Sequence, residues 1–255
     1  MRNKWQEARD IVLARRKQRP MQVSVVLSTY NKARLLQRTL DSIFRQRVPF
    51  NYEVIVVDDG SQDDTPQICS QYEIVYHRVE REPSYRNPGP ARNIGYKLAK
   101  GKIVIAQSDD VVHESLNTIE VLSQVPENEF WLASVRNAIF SESGICTKLS
   151  HWYVGKRNPR PLFFLGSVHR KAIYRIGGNH PALVEVGYDD DLFSLMLQKN
   201  GLSPIYRDDI LGLHQHHSRP NLRGPYSRME AVYQQIVEEC ERTGVWRCGE
   251  PWIDD

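Results

Sequence analysis

Two adjacent carboxylates, Asp109 and Asp110, follow the apolar run Ile103 to Ala106 through Gln107 and Ser108. A buried strand fixes the backbone of the residues that end it, so acids placed there present hard oxygen ligands from a rigid base. Mg2+ or Mn2+ held by one or two carboxylates together with substrate phosphates is a common way to bind a nucleoside diphosphate. Acids at a strand end also cap helices, so the pair alone does not decide. A second acidic cluster, Asp189, Asp190 and Asp191, follows Gly187-Tyr188 and leads into an apolar helical face through Leu192, Leu195 and Met196. A carboxylate held at a helix start can accept the proton of an attacking hydroxyl, or simply complement the helix dipole. The third group is His214, His216 and His217, just after the apolar run Ile210 to Leu213. Imidazole is a frequent transition-metal ligand and suits Mn2+ beside carboxylates.

Alternating strands and helices must position these groups. Val23 to Ser28 is a continuous β-branched run, followed by Thr29, Tyr30 and Asn31 and a helical pattern through Leu35, Leu36, Leu40 and Ile43. Val54 to Val57 repeats the device, ending in Asp58-Asp59-Gly60-Ser61, with Thr65-Pro66 opening a helix. Ile74 to Tyr76 is a third apolar stretch, Ala91 to Ala99 is helix-like, and Ile103 to Ala106 is a fourth strand. Strands without polar alternation belong to a parallel sheet covered on both faces. In such sheets ligands lie beyond the carboxyl ends of the strands. Ser28 to Asn31, Asp58 to Ser61 and Ser108 to Asp110 therefore converge on one crevice.

Beyond about residue 114 the pattern is mixed. Strands are expected at Phe130 to Ala133, Ala138 to Phe140 and Phe163 to Arg170, a helix at Asp191 to Lys199, and a terminal helix around Met229 to Glu241. This half suits an acceptor pocket, and Trp131, Trp152, Tyr153 and Phe163 are aromatics able to stack on sugar rings or to fill the core. The expected division is an amphipathic N-terminal helix in residues 1–19, a catalytic domain in 20–220 (nucleotide-binding half 20–113, acceptor half 114–220) and a helical tail in 221–255. The N-terminal helix, with Trp5, Ala8, Val12 and Leu13 on one side and basic residues on the other, suits peripheral membrane contact, a homodimer, or packing on the domain.

With 40% hydrophobic and 25% charged residues, the chain reads as an ordinary globular protein. The formal net charge of +3 is mild and the basic residues are interspersed with acids, which argues against nucleic acid as partner. Cys69, Cys146, Cys240 and Cys248 have neither zinc-site spacing nor the density of a disulfide scaffold. No signal-peptide core or membrane-length apolar run is present, so a cytoplasmic protein, able to associate with a membrane surface, is expected. A nucleotidyltransferase would favour a glycine-rich basic loop after the first strand, and Ser28-Thr29-Tyr30-Asn31 is not one.

The run SVVLSTYNKARLLQRTLDSIFRQ, then YEVIVVDDGSQDDT, then NPGPARNIGYKLAKGKIVIAQSDD, closely resembles the nucleotide-binding half of family 2 glycosyltransferases of the GT-A fold. IGGNHPALVEVGYDDDLFSLMLQKNG resembles the same family's acceptor-side segment. The match runs from about Val23 to about Arg219, and the ordered succession of motifs makes it specific. It implies an α/β fold, a Rossmann-like mixed and mostly parallel sheet flanked by helices, and an inverting transfer from a nucleotide sugar, UDP-linked first, to a hydroxyl of a glycan or other acceptor. The cofactor implied is Mn2+ or Mg2+. A non-catalytic nucleotide- or glycan-binding scaffold is the alternative from another class.

By that resemblance, Ser28 and Tyr30 match positions that pack on the nucleobase, and Asp59 matches the acid that recognises uracil, with Asp58 beside it. Thr29 and Ser108, in the same turns, join the nucleotide-binding set, as do Arg92 and Asn93, which match a segment near the nucleotide and donor sugar. Asp109 and Asp110 lie at the family's metal-binding motif, which here reads Gln107-Ser108-Asp109-Asp110, so the usual first acid is an amide. Which of the two binds metal and which contacts ribose stays open. Asp190 matches the catalytic base when counted from Gly201, and Asp189 when aligned on DDDLF. His214 and His217 each match a metal ligand in different branches of the family, with His216 between them.

Overall fold

The computed structural model describes residues 20–81, 87–218 and 223–253. The N-terminal helix expected within residues 1–19 lies outside them, as does Arg219. The alternation is as the patterning predicts: β1 (Val23–Thr29), α1 (Ala33–Phe44), β2 (Tyr52–Asp58), α2 (Thr65–Cys69), β3 (Val75–Arg78), α3 (Gly89–Leu98) and β4 (Ile103–Ser108). There follow β5 (Val111–His113), α4 (Thr118–Leu122), β6 (Glu129–Phe140), β7 (Cys146–Val154), β8 (Leu165–His169), α5 (Arg170–Ile176), α6 (Asp189–Lys199), β9 (Ser203–Gln215) and α7 (Arg223–Thr243).

One sheet orders the strands β3-β2-β1-β4-β8-β6-β9-β5, with β7 paired to β6. The first four are parallel. β8 runs antiparallel to both β4 and β6, so β6 regains the β4 direction and β9 runs parallel to β6. The carboxyl ends of β1, β2, β4 and β9 therefore share one edge of the sheet. Thr29, Asp58, Ser108 and Gln215 close those four strands. The apolar runs of β1, β2 and β4 are buried almost throughout, because both faces of this part of the sheet are covered. Among the described residues no helix is long and apolar enough to cross a membrane.

The second half departs from the sequence reading in three places. The two short strands expected at Phe130 to Ala133 and Ala138 to Phe140 are one strand, β6. Its polar middle stays in the ladder because β9 pairs along its whole length, absorbing a register shift at Ala133/Ser134, while the Arg136 guanidinium lies 4.8 Å from the Trp152 ring centre. β7 is largely exposed and polar, and α4 and α5 are too short to show a helical period, so none of the three has a sequence signature. α6 begins at Asp189 rather than Asp191. Phe163 belongs to the core, fully buried against Phe130 and Phe193, and is not a sugar platform.

α3 crosses β1 and β2 at Gly95. A Cβ there would stand 2.4 Å from Val26 Cγ1 and 3.3 Å from Val57 Cγ2, so only glycine lets the helix lie this close. That approach sets the height of Arg92, one turn earlier. Because Val26 is β-branched and stiff at χ1, Gly95→Ala is expected to cost about 1–3 kcal/mol. Urea unfolding should show a lower midpoint at unchanged slope; a midpoint equal to the wild type's would mean the helix sits further from the sheet.

Candidate active site

The first two turns at the sheet edge are tied together. Asn31, in the left-handed region at φ 52, donates its backbone N–H to Ser61 Oγ at 2.9 Å and accepts from the Gln62 N–H on Oδ1 at 2.6 Å. Asparagine tolerates this conformation better than most residues. Asp58 stands behind the turn: its carboxylate accepts from the Ser61 N–H at 2.7 Å and the Tyr76 hydroxyl at 2.6 Å, and meets Arg78 Nη1 at 3.3 Å. Asp58 thus braces the loop and does not line the cavity. Asp59 does line it, gripped by Arg81 through Nε at 3.0 Å and Nη2 at 2.7 Å. The Arg81 guanidinium lies 5.2 Å from the Tyr30 ring centre. Ser28, Thr29, Tyr30 and Ser108 complete this wall.

Asp109 and Asp110, in the turn joining β4 to β5, are buried at 5% and 3% exposure. The Gln215 N–H donates to the Asp110 carbonyl at 2.8 Å, which pins this turn to the end of β9. Three cationic or imidazole nitrogens converge on one oxygen, Asp110 Oδ2: Lys32 Nζ at 2.7 Å, His217 Nε2 at 3.0 Å and His214 Nε2 at 3.5 Å. Lys32 also reaches Asp109 Oδ1 at 3.0 Å. Burial disfavours the Asp110 carboxylate, but Lys32, His214 and His217 outweigh it and hold the acid well below its usual range. Burial likewise works against the Lys32 ammonium, and Asp109 and Asp110 reverse that and hold it charged.

Asp110, His214 and His217 each offer a ligand atom, all within 4.8 Å of one another. Asp110 Oδ1 is buried without a hydrogen-bond partner among the described residues, an acceptor that a bound cation would satisfy. His217 Nδ1 faces the Ser218 carbonyl at 2.8 Å and must donate to it, so Nε2 presents Asp110 with either a second proton or a lone pair. A metal ion bound by these residues would supply the positive charge that such a proton otherwise brings. These residues fit a divalent ion, and the mixed nitrogen and oxygen donors suit Mn2+ better than Mg2+. His216 does not join them: β9 ends at Gln215, whose amide turns back to Leu35 and Thr39, and beyond the strand end His217 turns to Asp110 while His216 lies exposed over the neighbouring groove.

On the far wall, Gly187 at φ 123 and Tyr188 at φ 63 swing the chain into α6. A non-glycine residue in that region costs on the order of 1 kcal/mol. The strain delivers Asp189, Asp190 and Asp191 as the first turn of the helix, aimed into the cavity. Arg92, buried in α3, meets Asp190 Oδ1 at 2.6 Å and Asp189 Oδ2 at 3.4 Å. Burial and then the neighbouring Asp190 charge push the Asp189 carboxyl up to about 6. Asp191 is engaged by Arg160 at 2.8 Å. Asn93 turns away from the cavity, because its amide exchanges hydrogen bonds with Asn179.

Of the candidate catalytic, nucleotide-binding and metal residues, Asp58, Asn93 and His216 therefore stand outside the cavity and the others line it; the aromatics Trp131, Trp152, Tyr153 and Phe163 do not. Lys32, Arg160, Tyr188 and Tyr226 line it too and were missed. Tyr226 comes from α7, and a Cβ at Gly187 would stand 2.9 Å from its ring, so the tail packs directly on the acidic loop. Gln107, fully buried, points into the sheet instead: its amide donates to the Val111 carbonyl at 2.8 Å and its oxygen pairs with His113 Nε2 at 2.9 Å.

The family described as glycosyl transferase family 2 matches residues 24–193. A 97-residue stretch is 39% identical to a poly(ribitol-phosphate) beta-glucosyltransferase of Bacillus spizizenii, covering 36% of this chain and 15% of that protein. A 105-residue stretch is 37% identical to glycosyltransferase GlyG of Streptococcus pneumoniae, covering 40% of this chain and 34% of the relative. Among solved structures, S. aureus TarS 1-349 in complex with UDP-GlcNAc superimposes with a TM-score of 0.60 at 21% identity, covering 79% of this chain and 60% of that one. Mannosyltransferase PcManGT from Pyrobaculum calidifontis, in complex with GDP-Man and Mn2+, gives a TM-score of 0.58 at 22% identity, covering 88% and 64%. The two structures share this fold, and the chain spans less than two-thirds of the length of all four proteins.

The raised Asp189 carboxyl has a measurable consequence for stability. Between the ordinary 3.8 and about 6, the folded chain keeps a proton there that the unfolded chain has released. Ionising Asp189 therefore lowers stability as pH rises through that window, and the cost is full above it. Relative to the wild type, Asp189→Asn should gain about 1–3 kcal/mol between pH 4 and pH 7.5. Urea denaturation at both pH values checks this; a constant difference between the two proteins would show an unshifted Asp189.

Proposed function

Because the chain belongs to glycosyl transferase family 2, we propose that its cavity transfers a sugar from a nucleoside-diphosphate sugar to a hydroxyl of a glycan or other acceptor, inverting the anomeric carbon. The observation that carries this reading is the facing of two acidic groups across one cavity. Asp109 and Asp110 stand at the end of β4, and Asp189 and Asp190 open α6 under the grip of Arg92. The first pair suits the diphosphate end of a donor and the second suits the attacking hydroxyl.

Tyr30 offers an aromatic face to the base and Asp59 an acceptor oxygen. The Asp59 carboxylate, held at the cavity wall by Arg81, is an acceptor of the kind that an imide N–H such as that of uracil would meet. This favours a UDP-sugar. The fold itself serves more than one base, since TarS was solved with UDP-GlcNAc and PcManGT with GDP-Man.

In the transfer, Asp190 accepts the acceptor's hydroxyl proton, and the oxygen so freed forms a bond to the anomeric carbon from the face opposite the diphosphate. The bond from that carbon to the diphosphate oxygen breaks, and its electron pair leaves with the nucleoside diphosphate. Arg92 meets Asp190 at Oδ1, and Oδ2 is the oxygen that would take the proton. Its second contact, to Asp189, keeps two neighbouring carboxylates in place despite their repulsion. The strained Gly187-Tyr188 turn fixes both acids before substrate arrives, so little reorganisation is needed at the moment of reaction. A divalent ion held by Asp110, His214 and His217 would supply positive charge at the departing diphosphate.

A second assignment has its own support: a base works best with a pKa near the operating pH, and Asp189 is the acid pushed up to about 6. The two assignments separate by mutation. Asp190→Asn is expected to lower kcat by about a hundredfold or more while UDP affinity, measured by calorimetry, stays within about twofold. Full activity in that variant, with a comparable loss in Asp189→Asn, would transfer the role to Asp189. For the metal, His214→Ala with His217→Ala should abolish Mn2+ binding in a calorimetric titration without donor hydrolysis being assayed at all; unchanged Mn2+ binding would remove both imidazoles from the site.

A further inference from the structure

Lys32 has no part in the transfer described above, yet its ammonium occupies the centre of the acid pair. Its backbone is fixed: it precedes α1, and its carbonyl accepts from both the Leu35 and the Leu36 N–H, at 3.0 and 2.9 Å. Its side chain is not so confined, since it borders the cavity and is 20% exposed at the end of a flexible stem. The oxygen that Lys32 approaches at 2.7 Å, Asp110 Oδ2, is the same one that His214 and His217 face. An ammonium and a divalent ion sharing that oxygen would repel strongly in a site this poor in water.

Charge arithmetic points the same way. Asp109 and Asp110 together carry two negative charges, and Lys32 returns one positive. A divalent ion entering alone would overload the site with cation. A nucleoside diphosphate entering with it restores the balance and gives the ammonium phosphate oxygens to pair with. We propose that Lys32 is a built-in counter-ion which competes with the divalent ion for Asp110 and yields to it when a nucleoside diphosphate binds, so that metal and donor bind cooperatively. This rests on the reading that Asp110, His214 and His217 hold a divalent ion. The coupling must be reciprocal: whatever factor the nucleotide adds to metal affinity, the metal adds to nucleotide affinity.

The test is calorimetric titration of Mn2+ into the full chain with and without saturating UDP, for the wild type, Lys32→Met and Lys32→Arg, with folding checked by circular dichroism. UDP itself chelates Mn2+, so the quantity compared between proteins is the coupling factor, not its absolute size. Lys32→Met should bind Mn2+ alone about tenfold or more tighter than the wild type, and the gain on adding UDP should shrink by a similar factor. Lys32→Arg, whose guanidinium fork pairs with carboxylates at least as firmly, should bind Mn2+ alone no tighter than the wild type and keep the coupling. That second variant carries the test if Lys32→Met does not fold. Lys32→Met with wild-type Mn2+ affinity and coupling overturns the proposal and makes Lys32 a fixed structural cation, as does an arginine variant that binds Mn2+ alone more tightly. A wild type that takes up no Mn2+ even with UDP overturns the metal reading as well, so the two failures are distinguishable.

Discussion

Taking carboxylates out of water is the constraint around which the functional edge of this protein is organised. Asp58, Asp59, Asp109 and Asp110 are all at most 5% exposed, and Asp189 and Asp190 are largely covered. An isolated buried carboxylate would neutralise or unfold its surroundings. Each therefore has a cation brought by a different element: Arg78 from the end of β3, Arg81 just beyond it, Lys32 at the start of α1, and Arg92 within α3. The geometry of the cavity follows from these pairings. A strand end can carry an acid into the crevice only where another element can deliver its partner, and removing one partner leaves a stranded charge that costs more than the pair contributes.

That constraint also joins the two halves of the chain. Arg92 sits on α3 in the first half of the chain, and its partners open α6 in the second. Its neighbour Asn93 exchanges hydrogen bonds with Asn179, and the Asn87 side chain donates to the Glu185 carbonyl at 2.9 Å. Asn93, matched by resemblance to a donor-binding segment, thus serves the junction rather than the cavity. The same three polar contacts fix how far the acids of α6 stand from the turn after β4. On the proposed function, that distance is what a donor and an acceptor hydroxyl would have to fit, and α3 sets it through its contacts with the second half of the chain.

The sequence made the parallel half legible because a doubly covered strand has no choice but to be apolar throughout, and its ends are marked by the first polar residues. It made the acids legible for the same reason. It did not reveal which polar residues of a turn face inward: Asp58 and Asp59 are adjacent and alike, and only the Tyr76 and Arg78 side chains, from the neighbouring strand, turn one of them into a brace. His216 stands outside the cluster because β9 ends at Gln215: strand alternation would put His216 on the face of His214, but beyond the strand end it is His217 that turns to Asp110, which spacing alone does not show. Lys32, Tyr188 and Tyr226 escaped because a lysine or tyrosine in a loop carries no pattern. Their roles come from long-range contacts. The same holds for β7, whose exposed polar residues are strand only because β6 lies beside them.

Gln107 shows how such contacts change the meaning of a departure from a family pattern. Read as a missing acid, it suggests a weakened site. In the structure it alternates to the other face of β4 and spends its amide on Val111 and His113, a histidine that burial and then Arg45 push down to about 3, hence neutral. A carboxylate at that position would be buried facing a neutral imidazole, whereas the amide both donates to the Val111 carbonyl and pairs with His113, so it is the residue that the surroundings accept. The charge near the cavity is then set by Asp109 and Asp110 against Lys32, with imidazoles as the remaining donors. Neutral imidazoles leave the charge of a bound divalent ion less compensated than further carboxylates would. On the reading that these residues hold a divalent ion, such an ion would keep more of its field for a diphosphate, and two acids with two histidines would be a different electrostatic solution rather than a depleted one.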